Sequence, residues 1–169
     1  MKQSINDKWI EFYTKFNLII IPLLPRSKRP FIKEWQKIIQ SKKITGNQNF
    51  GLLTGRINNI TVIDIDRKDN GLKTWRSWIK KYGKIDTPTV KTGNEGYHYY
   101  FKYNEKLHNR LNIKINGNRI GIDIKGNGGQ VVVPPSIHPN GTKYKWTKSL
   151  DNYEIIEVPK WLEDIILKQ

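Results

Sequence analysis

The run Ile60-Thr-Val-Ile-Asp-Ile-Asp is the feature that most limits how this chain can fold. Its β-branched and apolar residues predict a buried strand. Because alternate residues of a strand share a face, Asp64 and Asp66 are expected to point to the same side. Two adjacent carboxylates repel each other and lose hydration on burial unless a cation neutralises them. The run therefore predicts either a divalent cation site or a pair of solvated acids near Arg67 and Lys68.

A third acid, Asp123, lies in a second apolar run, Gly121-Ile-Asp-Ile. Taken alone, it could be a satisfied carboxylate in the core or in a turn. Three acids embedded in apolar strands, however, are what a two-metal phosphoryl-transfer site requires. Hard divalent ions such as Mg²⁺ prefer carboxylate oxygen and often complete their coordination with phosphate oxygens. The pattern predicts phosphoryl transfer but does not separate a polymerase from a nuclease.

Two other segments contain candidate phosphate ligands. His98 follows a glycine-containing turn and would donate a hydrogen bond to a phosphate oxygen, unless it is simply packed or solvated. The glycines at 126, 128 and 129 permit a tight turn and a close approach of the backbone to a ligand. Beyond two prolines, Ser136 and His138 alternate and would present two donors on one side, which suits a triphosphate.

Helical and strand patterns alternate along the chain. Apolar residues at helical spacing predict helices over about 5–16, 72–82 and 160–166, and a short helix around 31–38. Residues 104–119 are expected to be an irregular connection. No linker or repeat is present, so we expect one domain over residues 1–169, of α+β or mixed α/β class. Strands are expected over 18–23, 50–53, 60–66, 97–103, 120–124, 130–133 and 144–146.

The charge is strongly positive, with 30 Lys and Arg against 15 Asp and Glu, a formal net charge of +15. Such a surplus indicates a polyanionic partner, although a Lys-rich chain from an AT-biased genome would also carry it. Residues 102–119, which include the expected irregular connection, are basic. They could follow the backbone of a nucleic acid, or they could simply be solvated. The candidate nucleic-acid-binding residues are Lys102, Lys106, Arg110, Lys114 and Arg119.

Cysteine is absent, which excludes disulfides, thiol nucleophiles and zinc sites that use Cys. The N-terminus lacks the apolar core of a signal peptide. The longest apolar run, 18–24, is too short to span a bilayer. We therefore expect a cytoplasmic protein, which would lie in the host cytoplasm if its source is a virus.

Four motifs in order resemble the bifunctional primase-polymerase amino-terminal family of the archaeo-eukaryotic primase superfamily, which occurs in plasmid, phage, viral and CRISPR-associated replication proteins. The resemblance spans about residues 18–146, and Lys28-Arg-Pro with the following Trp35 resembles an early family element. The four motifs are Phe50-Gly-Leu-Leu-Thr-Gly, Val-Ile-Asp-Ile-Asp, Thr-Gly-x-x-Gly-Tyr-His-Tyr-Tyr-Phe, and Gly-Ile-Asp-Ile-Lys-Gly-x-Gly-Gly-x-Val-Val-Val-Pro-Pro-Ser-x-His.

The resemblance implies a role for each acid and for the strand histidine. Asp64 and Asp66 match the first catalytic motif and would be ligands of both metals. Asp123 matches the acid of the third motif and would complete the metal site. His98 matches the histidine of the second motif, which in the family contacts the phosphates of the incoming nucleotide.

The resemblance also implies five more nucleotide contacts. Ser136 and His138 match the Pro-Pro-Ser-x-His element and would face the triphosphate. Thr54 and Gly55 would border the nucleotide pocket. Lys28 would assist phosphate or template binding, with a solvated lysine as the alternative.

The family fold is a small α/β amino-terminal unit packed against a sheet that resembles an RNA-recognition motif, with the active site in the cleft between them. The implied cofactors are two divalent ions, Mg²⁺ or Mn²⁺, and no zinc. The implied partners are a single-stranded DNA template, a primer and nucleoside triphosphates. Many relatives continue into a helical accessory domain and a helicase, so such a partner is expected as well, and the domain itself is expected to be a monomer.

These features predict a DNA-directed primase-polymerase that transfers nucleotides on a template by a two-metal mechanism. Primer extension is the first expectation and primer synthesis the second, because initiation often needs accessory parts that this sequence does not contain. The alternatives are a metal-dependent nuclease that uses the same acids and a non-catalytic nucleic-acid-binding module.

Overall fold

The structure is a computed structural model that describes residues 4–168. Ser4 caps the first helix, because its hydroxyl accepts from the N–H of Asp7 while the Asp7 carboxylate accepts from the N–H of Ser4. The helices are α1 (Ile5–Lys15), α2 (Gly71–Tyr82) and α3 (Lys160–Leu167). The strands are β1 (Ile20–Leu23), β2 (Asn49–Leu53), β3 (Ile60–Ile65), β4 (Thr89–Lys91), β5 (Tyr97–Lys102), β6 (Lys114–Ile115), β7 (Asn118–Arg119), β8 (Ile122–Lys125), β9 (Gln130–Val133) and β10 (Lys145–Lys148).

The larger sheet has five strands in the order β10-β4-β5-β3-β8, and each neighbouring pair is antiparallel. Along the chain, the first strand of this sheet is β3. The crossover helix α2 follows it, and then come the strands β4, β5 and β8. The resulting order β8-β3-β5-β4 is that of an RRM-like sheet, in which the first strand lies between the third and the fourth. The mixed α+β class expected from the sequence is confirmed.

The smaller sheet, β1-β2-β9, is built from strands that are distant in sequence. The sequence predicted β8 and β9 as strands around a glycine-rich turn, but the two strands belong to different sheets. The turn at 126–129 instead carries the chain from the larger sheet to the smaller one. Gly128 has φ +73°, a conformation that glycine adopts without strain.

Side-chain alternation along β3 divides the interior into two cores. Ile60 and Val62 point into the first core, between the two sheets, which also contains Tyr13 of α1. Ile63 and Ile65 point to the other face of the sheet, into the second core, which α2 and α3 cover. Asp64 and Asp66 share the face of Val62 and therefore lie beside the cleft between the sheets.

Three local expectations need correction. The short helix expected around 31–38 is only a 3₁₀ turn, Trp35–Lys37, because Glu34 has φ +51° and cannot continue a right-handed helix. Phe31, the apolar residue at the start of that range, is 58% exposed. The connection 104–119 is not wholly irregular, because it contains the β6–β7 hairpin. The strand β4 was not predicted from the sequence.

In residues 4–168, no helix has the length and apolar character needed to cross a bilayer.

Replacing Tyr13 by phenylalanine is expected to lower the free energy of unfolding by about 1–3 kcal/mol. The buried Tyr13 hydroxyl donates to the carbonyl oxygen of Pro134 at 2.6 Å, and phenylalanine leaves that oxygen without its partner. Urea unfolding of the variant and of the wild type measures the difference. Tyr82→Phe is the control, because Tyr82 is 40% exposed and water can replace its contacts. Equal losses in the two variants would contradict the assignment.

Candidate active site

Strand β3 places Asp64 at the centre of a row of three polar side chains. In the register of the sheet, Asp64 lies opposite His98 on β5 and opposite Asp123 on β8. Residues directly opposite each other share a face, so all three side chains point into the cleft. The Nε2 atom of His98 lies 3.5 Å from Oδ1 of Asp64. The two acid-bearing runs predicted as strands are therefore adjacent in the sheet.

Asp66 lies just after the end of β3, and close backbone packing holds it there. Its N–H donates to the carbonyl oxygen of Gly121 at 2.8 Å. Gly121 has φ +63°, and a Cβ atom on Gly71 would lie 2.2 Å from the carbonyl oxygen of Asp66. The glycines at the start of α2 and before β8 thus allow Asp66 to sit beside Asp64.

The three acids line a cavity of about 240 Å³ between the two sheets. A larger groove of about 660 Å³ lies beside Lys102, and its Asp151 is paired with Lys15, so volume alone does not locate the chemistry. Both sheets contribute to the smaller cavity. Its lining residues are Lys28, Asp64, Asp66, His98, Leu111, Asp123, Lys125, Gln130, Val131, Val132 and Tyr144.

Burial changes the acidity of the two β3 carboxyls. It raises the pKa of Asp64 to about 6; the positive charges of Lys125 and Lys28 oppose this rise, and Asp123 adds to it. The pKa of Asp66 is also raised, first by burial and then by the negative charge of Asp64. A further positive charge in the pocket, beyond Lys28 and Lys125, would relieve both costs.

His98 is a neutral imidazole at physiological pH. Burial, together with the positive charges of Lys28 and Lys125, lowers its pKa to about 3. Its Nδ1 atom is buried and has no hydrogen-bond partner among residues 4–168. The ring lines the cavity and also interacts with the backbone of Val132, and its predicted role as a donor to phosphate stays a prediction.

Asp123 is held from two sides. Its Oδ1 accepts from the N–H of Asn112 at 2.7 Å, and its Oδ2 lies 3.5 Å from Nζ of Lys125. Lys125 thus neutralises part of the negative charge of the pocket. A metal ion on Asp123 would compete with this ammonium group.

The donor chemistry of the pocket fits Mg²⁺ or Mn²⁺, because three carboxylates from two adjacent strands line one cavity and the most buried of them has a raised pKa. Within the described range, no three His, Asp or Glu side chains are already arranged to hold a metal ion. The carboxylates therefore share the cavity but have to converge before they can coordinate one ion together.

Four of the predicted nucleotide ligands do not line the cavity: Ser136, Thr54, Gly55 and His138. The hydroxyl of Ser136 is buried, accepts from the N–H of Phe50 at 2.8 Å and donates to its carbonyl oxygen at 3.3 Å. Thr54 is buried as well, and its hydroxyl donates to the carbonyl oxygen of Gly126 at 2.7 Å. Gly55 packs against Asn127, which a Cβ atom would meet at 2.3 Å. Thr54 and Gly55 thus pack against the turn between the two sheets, whereas Ser136 bonds to β2 of the smaller sheet. The contact of all three residues with nucleotide stays a prediction.

Lys28 and His138 differ in their relation to the cavity, which His138 adjoins only through Tyr144. Lys28 lines the cavity, and the Gln130 side-chain amide donates to its carbonyl oxygen at 2.9 Å. The Nδ1 atom of His138 accepts from the N–H of Asn140 at 3.2 Å, so Nε2 carries the proton of the neutral ring. His138 is half-buried, and its ring centroid lies 6.1 Å from that of Tyr144 in the cavity wall.

The five basic residues predicted to bind nucleic acid divide into two groups. Lys102 and Lys106 form ion pairs with Glu157 and Glu163, and Arg110 donates to the carbonyl oxygen of Ile166. Lys114 and Arg119 instead lie directly opposite each other in the β6–β7 hairpin, both exposed, with no ion-pair partner in residues 4–168. The hairpin adjoins the cavity through Leu111 and Asn112.

Three polar residues of the cavity, Lys125, Gln130 and Tyr144, were not predicted as site residues from the sequence. Lys125 could have been found, because it follows Asp123 by two positions in a strand and must share its face. Gln130 and Tyr144 give no comparable local signal. They reach the cavity only because β9 and the segment before β10 pack against the larger sheet.

Comparison with known protein families gives one match. A model of the family described as bifunctional DNA primase/polymerase, N-terminal, matches residues 10–161. The matched range contains every residue of the cavity. A comparison with curated proteins finds no match.

Proposed function

We propose that this chain, which belongs to the bifunctional DNA primase/polymerase N-terminal family, joins nucleotides on a DNA template at the pocket around Asp64. Membership of the family supports nucleotidyl transfer of the primase/polymerase kind in general. The observation that carries the assignment to this pocket is the row His98-Asp64-Asp123 across three adjacent strands. It brings acids and a phosphate-binding donor together in one cavity of an otherwise basic chain.

We assign Asp64, Asp66 and Asp123 as the residues that would hold two divalent ions, Mg²⁺ or Mn²⁺. The chemistry that such ions supply when bound is neutralisation of phosphate charge and activation of the attacking oxygen. The protein itself would supply position and charge. Asp64 and Asp123 face the cleft from paired strands and Asp66 follows directly after β3, so the backbone holds the three carboxylates around one cavity.

The positive and neutral donors of the cavity would bind the triphosphate of the incoming nucleotide. Lys28 and Lys125 are the cations that act on Asp64, and phosphate oxygens would accept from their ammonium groups. The neutral His98 would donate from its ring, and His138 from Nε2. A primer 3′-hydroxyl would then attack the α-phosphate, and pyrophosphate would leave toward these donors.

Primer extension on a labelled primer–template, with ribonucleotide or deoxynucleotide pools and Mg²⁺ or Mn²⁺, tests this proposal. Lengthening that follows the template sequence supports it. Shortening without added nucleotide would identify a nuclease that uses the same acids. Unchanged length with salt-sensitive DNA binding would identify a binding module. The same assay without primer tests primer synthesis.

We assign the β6–β7 hairpin as the main contact with the template. Two like charges directly opposite in a hairpin repel each other, and an anion between them removes the repulsion. Replacing Lys114 and Arg119 by serine is expected to weaken single-stranded DNA binding about 3–10-fold. It should also reduce the slope of log affinity against log salt by about 1.4, since two phosphate contacts are lost.

The matched control replaces Lys102 and Lys106 by serine. Their ammonium groups pair with Glu157 and Glu163. Fluorescence anisotropy over a salt series measures all three proteins. A smaller change of slope in the control than in the hairpin variant supports the assignment. Equal slopes for the wild type and the hairpin variant would exclude the hairpin from the template path.

A further inference from the structure

Tyr144 is a wall of the cavity that has no assigned role. The residue is 3% exposed, yet it lines the cavity with Asp64, Asp66 and His98. Its ring centroid lies 6.2 Å from that of His98 and 6.1 Å from that of His138. The tyrosine therefore joins the two histidines into one surface.

The backbone around Tyr144 holds the ring in place. The N–H of Tyr144 donates to the carbonyl oxygen of Ser136 at 2.9 Å, and the N–H of His138 donates to that of Thr142 at 2.8 Å. The segment 136–144 thus turns back on itself and sets His138 beside Tyr144. The Asn140 side chain fixes the turn to the larger sheet by donating to the carbonyl oxygen of Gly93 at 2.9 Å.

The hydroxyl group of Tyr144 is the polar part of this wall. Unlike the hydroxyl of Tyr13, which donates to Pro134, it has no hydrogen-bond partner within the described part of the chain. A tyrosine that is almost fully buried usually finds a partner for its O–H. Since this residue lines the cavity, a group that enters the cavity can accept a hydrogen bond from its hydroxyl.

The chemistry of the cavity indicates what that group is. Burial, and then the negative charges of Asp64 and Asp66, raise the pKa of Tyr144, so the hydroxyl keeps its proton and remains a donor. The rings of His98 and His138 lie next to it and can donate, and Lys28 and Lys125 in the cavity lining add positive charge. A set of donors and cations of this kind matches the acceptor oxygens of a polyphosphate.

We propose that the Tyr144 hydroxyl donates a hydrogen bond to a non-bridging phosphate oxygen of the incoming nucleoside triphosphate. Tyr144 thereby joins His98 and His138 in one triphosphate-binding wall. The inference rests on the proposed function of the same pocket, and it names a binding residue that the motifs do not include.

Replacing Tyr144 by phenylalanine keeps the ring packing and removes only the hydroxyl. In steady-state primer extension, the KM for nucleotide is expected to rise about tenfold, while kcat stays within about threefold, because a hydrogen bond to a charged group is lost. Tyr97→Phe is the matched control, since Tyr97 lies on the opposite face of β5. Its KM should equal that of the wild type.

Inorganic tripolyphosphate, which has neither base nor sugar, tests the phosphate contact directly by isothermal titration calorimetry. We expect the Tyr144→Phe variant to bind it about tenfold more weakly than the wild type. Equal affinities would overturn the inference, and so would a change in ribonucleotide against deoxynucleotide preference with unchanged tripolyphosphate affinity. Because this measurement needs no catalysis, a wild type that fails to extend primers would refute the proposed function and leave the phosphate contact separately tested.

Discussion

Templated primer extension is expected to fall at least about 10³-fold when Asp64 and Asp66 are both replaced by asparagine. Asparagine keeps the shape of each side chain but removes the two negative charges that face the cleft from one side of β3. Without those charges, divalent ions and the triphosphate can no longer be held together in the cavity. Single-turnover extension with saturating nucleotide measures the loss in the chemical step.

The control for this result is Asp151→Asn. Asp151 is an acid paired with Lys15 in the larger groove, away from the cavity. Its replacement should change the extension rate less than about twofold. A double variant that still extends primers at the wild-type rate would show that the active site for extension lies outside the pocket around Asp64.

The second expected result is that Asp64→Asn makes the metal-free protein more stable at neutral pH, by about 1–3 kcal/mol or roughly 3–9 °C in Tm. Partial burial of the Asp64 carboxyl raises its pKa from 3.8 to about 6, so its ionisation above that pH lowers the free energy of unfolding. Asparagine has no charge to bury. Activity and stability should therefore change in opposite directions at this residue.

The sign of the pH dependence follows from the raised pKa. A group with a higher pKa in the folded state contributes stability that is complete below its unfolded pKa and is lost as the pH rises through the folded value. The advantage of the variant over the wild type should thus be small below about pH 4 and full above about pH 6. Taking the difference between the two proteins removes the opposite contribution of His98, which both contain.

Divalent ions provide the contrasting measurement. Mn²⁺ is expected to raise the Tm of the wild type and to have little effect on Asp64→Asn, since binding to the folded state alone stabilises it. Thermal unfolding at pH 7.5 with and without Mn²⁺ measures both. A variant that is less stable than the wild type without metal would show that Asp64 is stabilising in the fold rather than strained by burial.

The sequence alone determined the elements whose pattern is local. The apolar spacing of 72–82 predicts α2, and alternation in 60–66 predicts a strand with two acids on one face; both agree with the structure. The order of the motifs was sufficient to identify the family. Such signals survive because helix and strand periods are properties of the chain itself.

The tertiary structure alone decided which elements are neighbours. Asp64, His98 and Asp123 meet because β5 and β8 flank β3, whereas β8 and β9, adjacent in sequence, separate into two sheets. Ser136 and Thr54 belong to recognisable motifs, yet the structure shows their hydroxyls bonded to backbone, that of Phe50 in β2 and that of Gly126 in the turn between the sheets. Tyr144 reaches the cavity from an inconspicuous segment. Strand pairing depends on contacts between residues that are far apart in sequence and on the burial of both cores together. No local sequence pattern encodes it.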